Sequence, residues 1–308
     1  MLYNILSRIV IIFSLIGVGF ILDKRRVVSR EALQSLSTVV INVMMPALIF
    51  SSIVTQFSRD AILAGYALPL LGILTFGAGA CIGWILVKVL KVREKQSKNT
   101  VIYLLTINNY GYLTLPIVFM LFGESGVALL FLHNLGCHLV FWTFGVWLLA
   151  GGDFSLKSIK PLFNVPFVSL VISLCIPFLG LESLVPKLFV EICDTLGRGA
   201  IPLIMLVIGS TLAEIEFKQG LFEKNMVWLT VCRLAAVPLI VILLLKMFHL
   251  PDIYRNIAVI VAVMPVASST PLFTKQYGGD TPLAAKSVFV TTLASAVTIP
   301  FFLMLFLK

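Results

Sequence analysis

Charge is scarce in this chain, and acid most of all: the 308 residues hold 14 Asp and Glu, and charged residues of both signs make up 12% of the total. A soluble globular domain carries about twice that share, so the composition excludes a protein folded in water alone. Histidine is rare too. His133 and His138 stand five apart, not at the four-residue spacing that puts two metal ligands on one helix face. No HExxH, GxSxG, Walker or DDxxD pattern occurs, so nothing points to an enzyme. Cys81, Cys137, Cys175, Cys193 and Cys232 lie in apolar stretches without ligand spacing and read as packing residues. No metal or cofactor is expected. Also missing are a polar stretch long enough for a soluble domain and a small-residue cleavage site near the start, so MLYNILSRIVIIFSLIGVGFIL reads as a retained helix.

What is present is apolar: 59% of the residues are hydrophobic. A hydrocarbon layer of roughly 30 Å takes about 20 helical residues to cross. Ten runs of that order fall near 3–22, 32–55, 62–89, 100–122, 125–150, 162–180, 187–213, 226–248, 254–276 and 284–307. The expected class is therefore an all-α integral membrane protein with ten spans. Of the 23 Lys and Arg, fifteen lie in loops after odd-numbered spans, as in Lys24-Arg25-Arg26 and the cluster from Lys88 to Lys98. Only five lie on the opposite side. The positive-inside rule then puts both termini outside the cytoplasm. The net charge of +9 is a topology signal, and no nucleic-acid partner is expected.

Two spans carry the same interruption. In NNYGYLTLPIVFMLFGESG, Pro116 precedes Gly123 by seven residues, and in VMPVASSTPLFTKQYGGD, Pro271 precedes Gly278 by seven, so one offset of 155 superimposes both pairs. Proline lacks a backbone donor and clashes with the turn before it, and Asn108, Asn109, Gly111, Ser268, Ser269 and Thr270 place polar or pliable residues beside each break. Unwound backbone at membrane depth persists only where it is buried in protein or lines a cavity. Pro46 and Pro202 match at an offset of 156, and Lys91 and Lys246 at 155. Two five-span halves follow, 1–150 and 161–308, joined by a cytoplasmic linker at 151–160. An odd number of spans per half makes the repeat inverted, and the two breaks are expected to meet near mid-membrane.

The order of NVMMPALIFSS, NNYGYLTLPI with FGESG, GAIPLIMLVIGSTLA and MPVASSTPLFTKQYGGD followed by TTLAS resembles the auxin efflux carrier family, over essentially the whole chain. That family includes plant auxin exporters and bacterial permeases for malate-like carboxylates. The resemblance implies a ten-helix, five-plus-five inverted fold, shared with bile acid:sodium symporters, in which helices 4 and 9 cross. It also implies an organic anion bound beside an asparagine ahead of the span-4 proline, here Asn108 or Asn109. A homodimer, paired through scaffold helices, and a bacterial plasma membrane are further implications. The chain departs from the pattern at Ser268, Ser269 and Thr270, where relatives often carry asparagine, which bears on the identity of the substrate.

The chemistry of such a site follows from helix ends. Each half-helix starting at a break presents unpaired N–H groups and about half a positive charge, suited to a carboxylate that must also leave. Asn109 and the hydroxyls of Ser269 and Thr270 are candidate direct ligands, with Asn108, Tyr110, Tyr112, Pro116 and Pro271 shaping the pocket. Ionisable groups inside a membrane are functional candidates by default. Glu191, Asp194 and Arg198 in span 7 are candidates for coupling, Asp194 and Arg198 sharing a helix face. His133 and His138 in span 5 serve either a proton relay or interhelical hydrogen bonds, and Arg233 either faces an anion or snorkels to a surface.

The expected function is a secondary carrier of small organic anions working by alternating access, with proton coupling as one option. A second reading is a sodium-coupled symporter, with Asn108, Ser268 and Thr270 among the oxygen ligands; dependence on sodium at constant pH separates the two. From a different class come an intramembrane enzyme using His133, His138 and Asp194, and a channel or sensor, which saturable counterflow excludes.

Overall fold

A computed structural model describes residues 2–152, 160–215 and 223–307. Residues 153–159 of the expected linker lie outside the described residues, as do Lys218 and Lys308 of the charge count. The described chain is helical, its only strand-like feature being an isolated antiparallel bridge between Asn108 and Val266. In chain order the helices are α1 (Leu2–Lys24), α2 (Arg30–Gln56), α3 (Arg59–Val89), α4 (Lys95–Thr106), α5 (Thr114–Leu149), α6 (Val165–Phe178), α7 (Lys187–Ala213), α8 (Lys224–Leu245), α9 (Asp252–Ala262), α10 (Thr270–Tyr277) and α11 (Thr281–Phe306).

Among the described residues, seven of these helices are long and apolar enough to cross a membrane: α1, α2, α3, α5, α7, α8 and α11. The other expected spans are interrupted or short for a physical reason. Residues 100–122 are divided between α4 and the start of α5, and residues 254–276 between α9 and α10, so neither forms one long helix. α6 is shorter, with Asn164 capping its start through Phe167 N at 3.0 Å and Pro177 in its last turn. α5 itself folds back at Gly123, whose φ of 62° and ψ of −152° suit glycine alone. Gly278 ends α10 at φ 93°. Both glycines of the repeated spacing thus take positive φ and both end a half-helix.

The prolines begin half-helices instead of kinking them. Pro116 and Pro271 sit in the first turns of α5 and α10, where a missing N–H costs no helical bond. At two further prolines the helix widens: π turns at Val40–Met44 and Cys232–Ala236 precede Pro46 in α2 and Pro238 in α8, whereas Pro202 and Pro300 stand inside regular helix. The extra residue relieves the clash between the proline ring and the carbonyl one turn back.

Packing is closest within two sets of helices. α7 lies along α1 and α2, and α6 along α2; separately, α3 packs on α4 and α5, α5 on α9, and α10 on α11. At the α1–α7 seam, a methyl group added to Gly209 would overlap the Ile16 carbonyl, and one added to Gly19 would overlap the Leu206 backbone. Small residues permit this approach, which supplies much of the attraction between helices where water is absent.

Candidate functional site

The two interrupted segments, 107–113 and 263–269, lie against each other. Asn109 N donates to the Pro265 carbonyl at 2.9 Å beside the Asn108–Val266 bridge, so each break satisfies part of the backbone that the other unwinds. Thr291 of α11 accepts a hydrogen bond from Val266 N at 3.2 Å. Asn108 Nδ2 donates to the Val261 carbonyl at 2.6 Å, and Thr114 Oγ1 donates to the Asn109 carbonyl at 2.7 Å. Asn109 Oδ1 accepts from Leu113 N at 3.0 Å, within the break just ahead of α5. Because a carbonyl only accepts and an N–H only donates, these contacts fix both amide orientations.

Two buried polar atoms are then left over: Asn109 Nδ2, a donor, and Asn108 Oδ1, an acceptor, have no hydrogen-bond partner. Asn108 is 0% exposed and Asn109 2%. Unpaired buried polar groups cost on the order of 1–3 kcal/mol each, and two at one place call for an explanation. Both residues line a cavity of about 320 Å³ whose wall also includes Tyr110, His138, Phe141, Trp142, Phe167 and Phe273. Phe141 meets Phe273 edge-on at 4.8 Å, and His138 stacks on Phe167 at 4.8 Å. A second cavity of about 570 Å³ adjoins it and shares Ile41, Tyr112, Ser269 and Leu272. This one reaches Glu214, Pro282 and Lys286 at the ends of α7 and α11.

The expected site residues therefore separate. Asn108, Asn109, Tyr110 and Ser269 line the smaller cavity, and Ser268, Ser269 and Pro271 the larger. Thr270 is buried with its hydroxyl on the Ala267 carbonyl at 2.7 Å, which makes it a cap of its own break. Pro116 is buried in α5 and lines neither cavity. His138 joins the site: its Nδ1 lies 3.4 Å from the Tyr110 hydroxyl and its Nε2 3.2 Å from the Leu162 carbonyl. His133 is buried against Asn134 and Cys137, outside both cavity walls. Asn134, on the helix face shared with His138, donates to the Tyr110 carbonyl at 3.0 Å and ties α5 to the break.

The span-7 charges stand apart. Arg198 pairs with Asp194 at 2.8 Å and with Glu124, while Glu191 is exposed, and none of the four lines either cavity. Glu124, directly after the Gly123 turn, is the partner that sequence reasoning missed. The other omission is the placement of Arg233. It neither snorkels nor lines a cavity: it is 0% exposed, with Nη1 donating to the Leu105 carbonyl at 2.7 Å, Nη2 to Ala262 at 2.7 Å and Nε to Met264 at 3.1 Å. Its signal in the sequence was an arginine five residues before Pro238 in an otherwise apolar span.

The arrangement offers a donor-bearing, aromatic-walled recess at two paired helix breaks. A family model described as membrane transport protein matches residues 4–303. An uncharacterized transporter of Methanocaldococcus jannaschii is 24% identical over 94% of this chain and 95% of its own length. An uncharacterized transporter of Methanothermobacter thermautotrophicus is 25% identical over 93% of each. The protein PIN-LIKES 1 of Arabidopsis thaliana is 27% identical over 36% of this chain and 24% of its own. With its apolar helices and a match running nearly end to end, the chain is an integral membrane protein of the membrane transport protein family, the auxin efflux carrier group that its motifs resemble.

Proposed function

We propose that the protein is a secondary carrier of small organic anions, and that the anion binds where the two interrupted helices cross. The observation that carries this reading is Asn109 Nδ2, a buried amide donor without a partner on the wall of the cavity at the crossing. A carboxylate oxygen is the acceptor it lacks. The N-terminal ends of α5 and α10 add partial positive charge nearby, and the aromatic wall suits an apolar body on the anion. In this reading the chain forms ten spans in two inverted five-helix halves, α4 with the first part of α5 making the fourth span and α9 with α10 the ninth.

The set α1, α2, α6 and α7 then serves as a scaffold against which the remaining helices move. The larger cavity reaches the ends of α7 and α11, the side carrying most of the lysine and arginine, which the positive-inside rule assigns to the cytoplasm. The conformation described is accordingly inward-facing, with both termini outside. His138 is the better coupling candidate than Asp194 or Glu191, because it touches Tyr110 in the cavity wall while the two acids lie elsewhere.

The test is uptake of radiolabelled carboxylates into proteoliposomes by wild type and Asn109→Ala. Saturable uptake that Asn109→Ala removes, with the variant still folded, is the expected result. Wild-type uptake in the folded variant would move the site elsewhere.

A further inference from the structure

Arg233 belongs to neither broken helix, yet it holds both. It lies in the π turn of α8, and the wider turn there brings it beside the crossing, where the guanidinium spans carbonyls from two other helices. Leu105 is in the last turn of α4, Ala262 is the last residue of α9, and Met264 follows it in the break. Its hydrogen-bond partners are thus backbone oxygens at the C-terminal ends of α4 and α9. Among the described residues no carboxylate lies within ion-pair distance of Arg233.

A buried cation with no acidic partner needs a counter-charge, and here the helix ends supply it. Each C-terminal end carries about half a negative charge, so the two together offset one guanidinium. The opposite ends, where α5 and α10 begin, each keep about half a positive charge with no acid among the residues lining the smaller cavity. What remains at the crossing is close to one positive charge. We propose that Arg233 is a specificity-determining positioning residue: by offsetting the C-terminal ends of α4 and α9 it leaves the crossing with room for one negative charge, favouring monoanions over dianions and over neutral molecules of the same shape. The inference rests on the anion-carrier reading above and deepens it.

A purely structural clamp differs from this in what it predicts. A clamp needs the three-pronged fork; a charge setter needs the positive charge, which lysine retains and glutamine does not. Purified wild type, R233K and R233Q are titrated with benzoate, with benzamide as its uncharged analogue and with succinate as a dianion, following binding by calorimetry and thermal shift. Wild type is expected to bind benzoate above both others. R233Q is expected to lose benzoate affinity by about tenfold or more through the loss of one nearby charge, with no comparable change for benzamide. R233K keeps benzoate binding near neutral pH and loses it as pH rises towards about 10, because a buried lysine gives up its proton and arginine does not.

R233Q that binds benzoate as wild type does, or an R233K profile as flat as that of wild type, overturns the inference while leaving the carrier reading intact. If R233Q does not fold, the R233K pH profile decides alone. A wild type that answers to no carboxylate overturns the anion reading, and this inference with it.

Discussion

The two breaks are built from different materials. At 107–113 the polar work is done by side chains: Asn108 reaches across to Val261, and Asn109 holds Leu113 N while keeping a free donor. At 263–269 the residues are small and mostly apolar, and the backbone is held from outside by Thr291 and Arg233. In the proposed carrier, the first break then supplies recognition groups, and the second supplies space and a backbone partner.

Substitutions at the first break are expected to have the largest effects. Asn109→Ala removes the free donor and the hydrogen bond that Leu113 N makes to Oδ1, costing about 1–2 kcal/mol of stability and reducing carboxylate uptake below detection in the proteoliposome assay. Retained uptake in the folded variant would move the site away from this break. Asn108→Ala removes one of the two hydrogen bonds on the Val261 carbonyl, which keeps Met264 N as a donor, and is expected to lower stability by about 1 kcal/mol, read as a lower unfolding temperature in detergent. Thr291→Val at the second break leaves Val266 N–H without its acceptor and costs on the order of 1–2 kcal/mol, with substrate affinity changed less than in Asn109→Ala.

The turn glycines sharpen the contrast further. Gly123→Ala forces an alanine into a backbone region that only glycine occupies readily, at about 1–3 kcal/mol, whereas Gly278→Asn at φ 93° and ψ 23° is expected to cost a few tenths of that scale, since asparagine tolerates left-handed helix ends. Equal melting shifts for the two would contradict the difference in their conformations. The mildest effect is expected for His138→Gln, which keeps a polar group beside Tyr110 but removes the titratable imidazole; uptake persists and its pH dependence flattens. A pH profile identical to wild type would remove His138 from coupling.

Much of this was legible in the amino-acid order, and the reasons are local. The spacing of Pro116 to Gly123 and of Pro271 to Gly278 encodes start and stop signals for short helices, and local signals survive any tertiary context. Asn108 and Asn109 were identifiable because polar side chains beside a break in an apolar run have few neutral explanations. What escaped depended on contacts across long sequence separations. Arg233 meets Leu105 from 128 residues away, and Glu124 meets Arg198 from 74 away. Thr270 was placed correctly at the break, but its hydroxyl folds onto Ala267, a choice between self-capping and ligand binding that composition does not reveal.

The seam between α1 and α7 bears on how such a molecule can work. Backbone touches backbone there at Gly209 and Gly19, leaving no cushion of side chains that re-pack as one rod slides past another. The pair is a fixed rail, and lipid chains cannot wedge into it. In the proposed carrier, any stroke then falls along other boundaries, and a bulky residue at position 209 should stall assembly before it could ever slow transit.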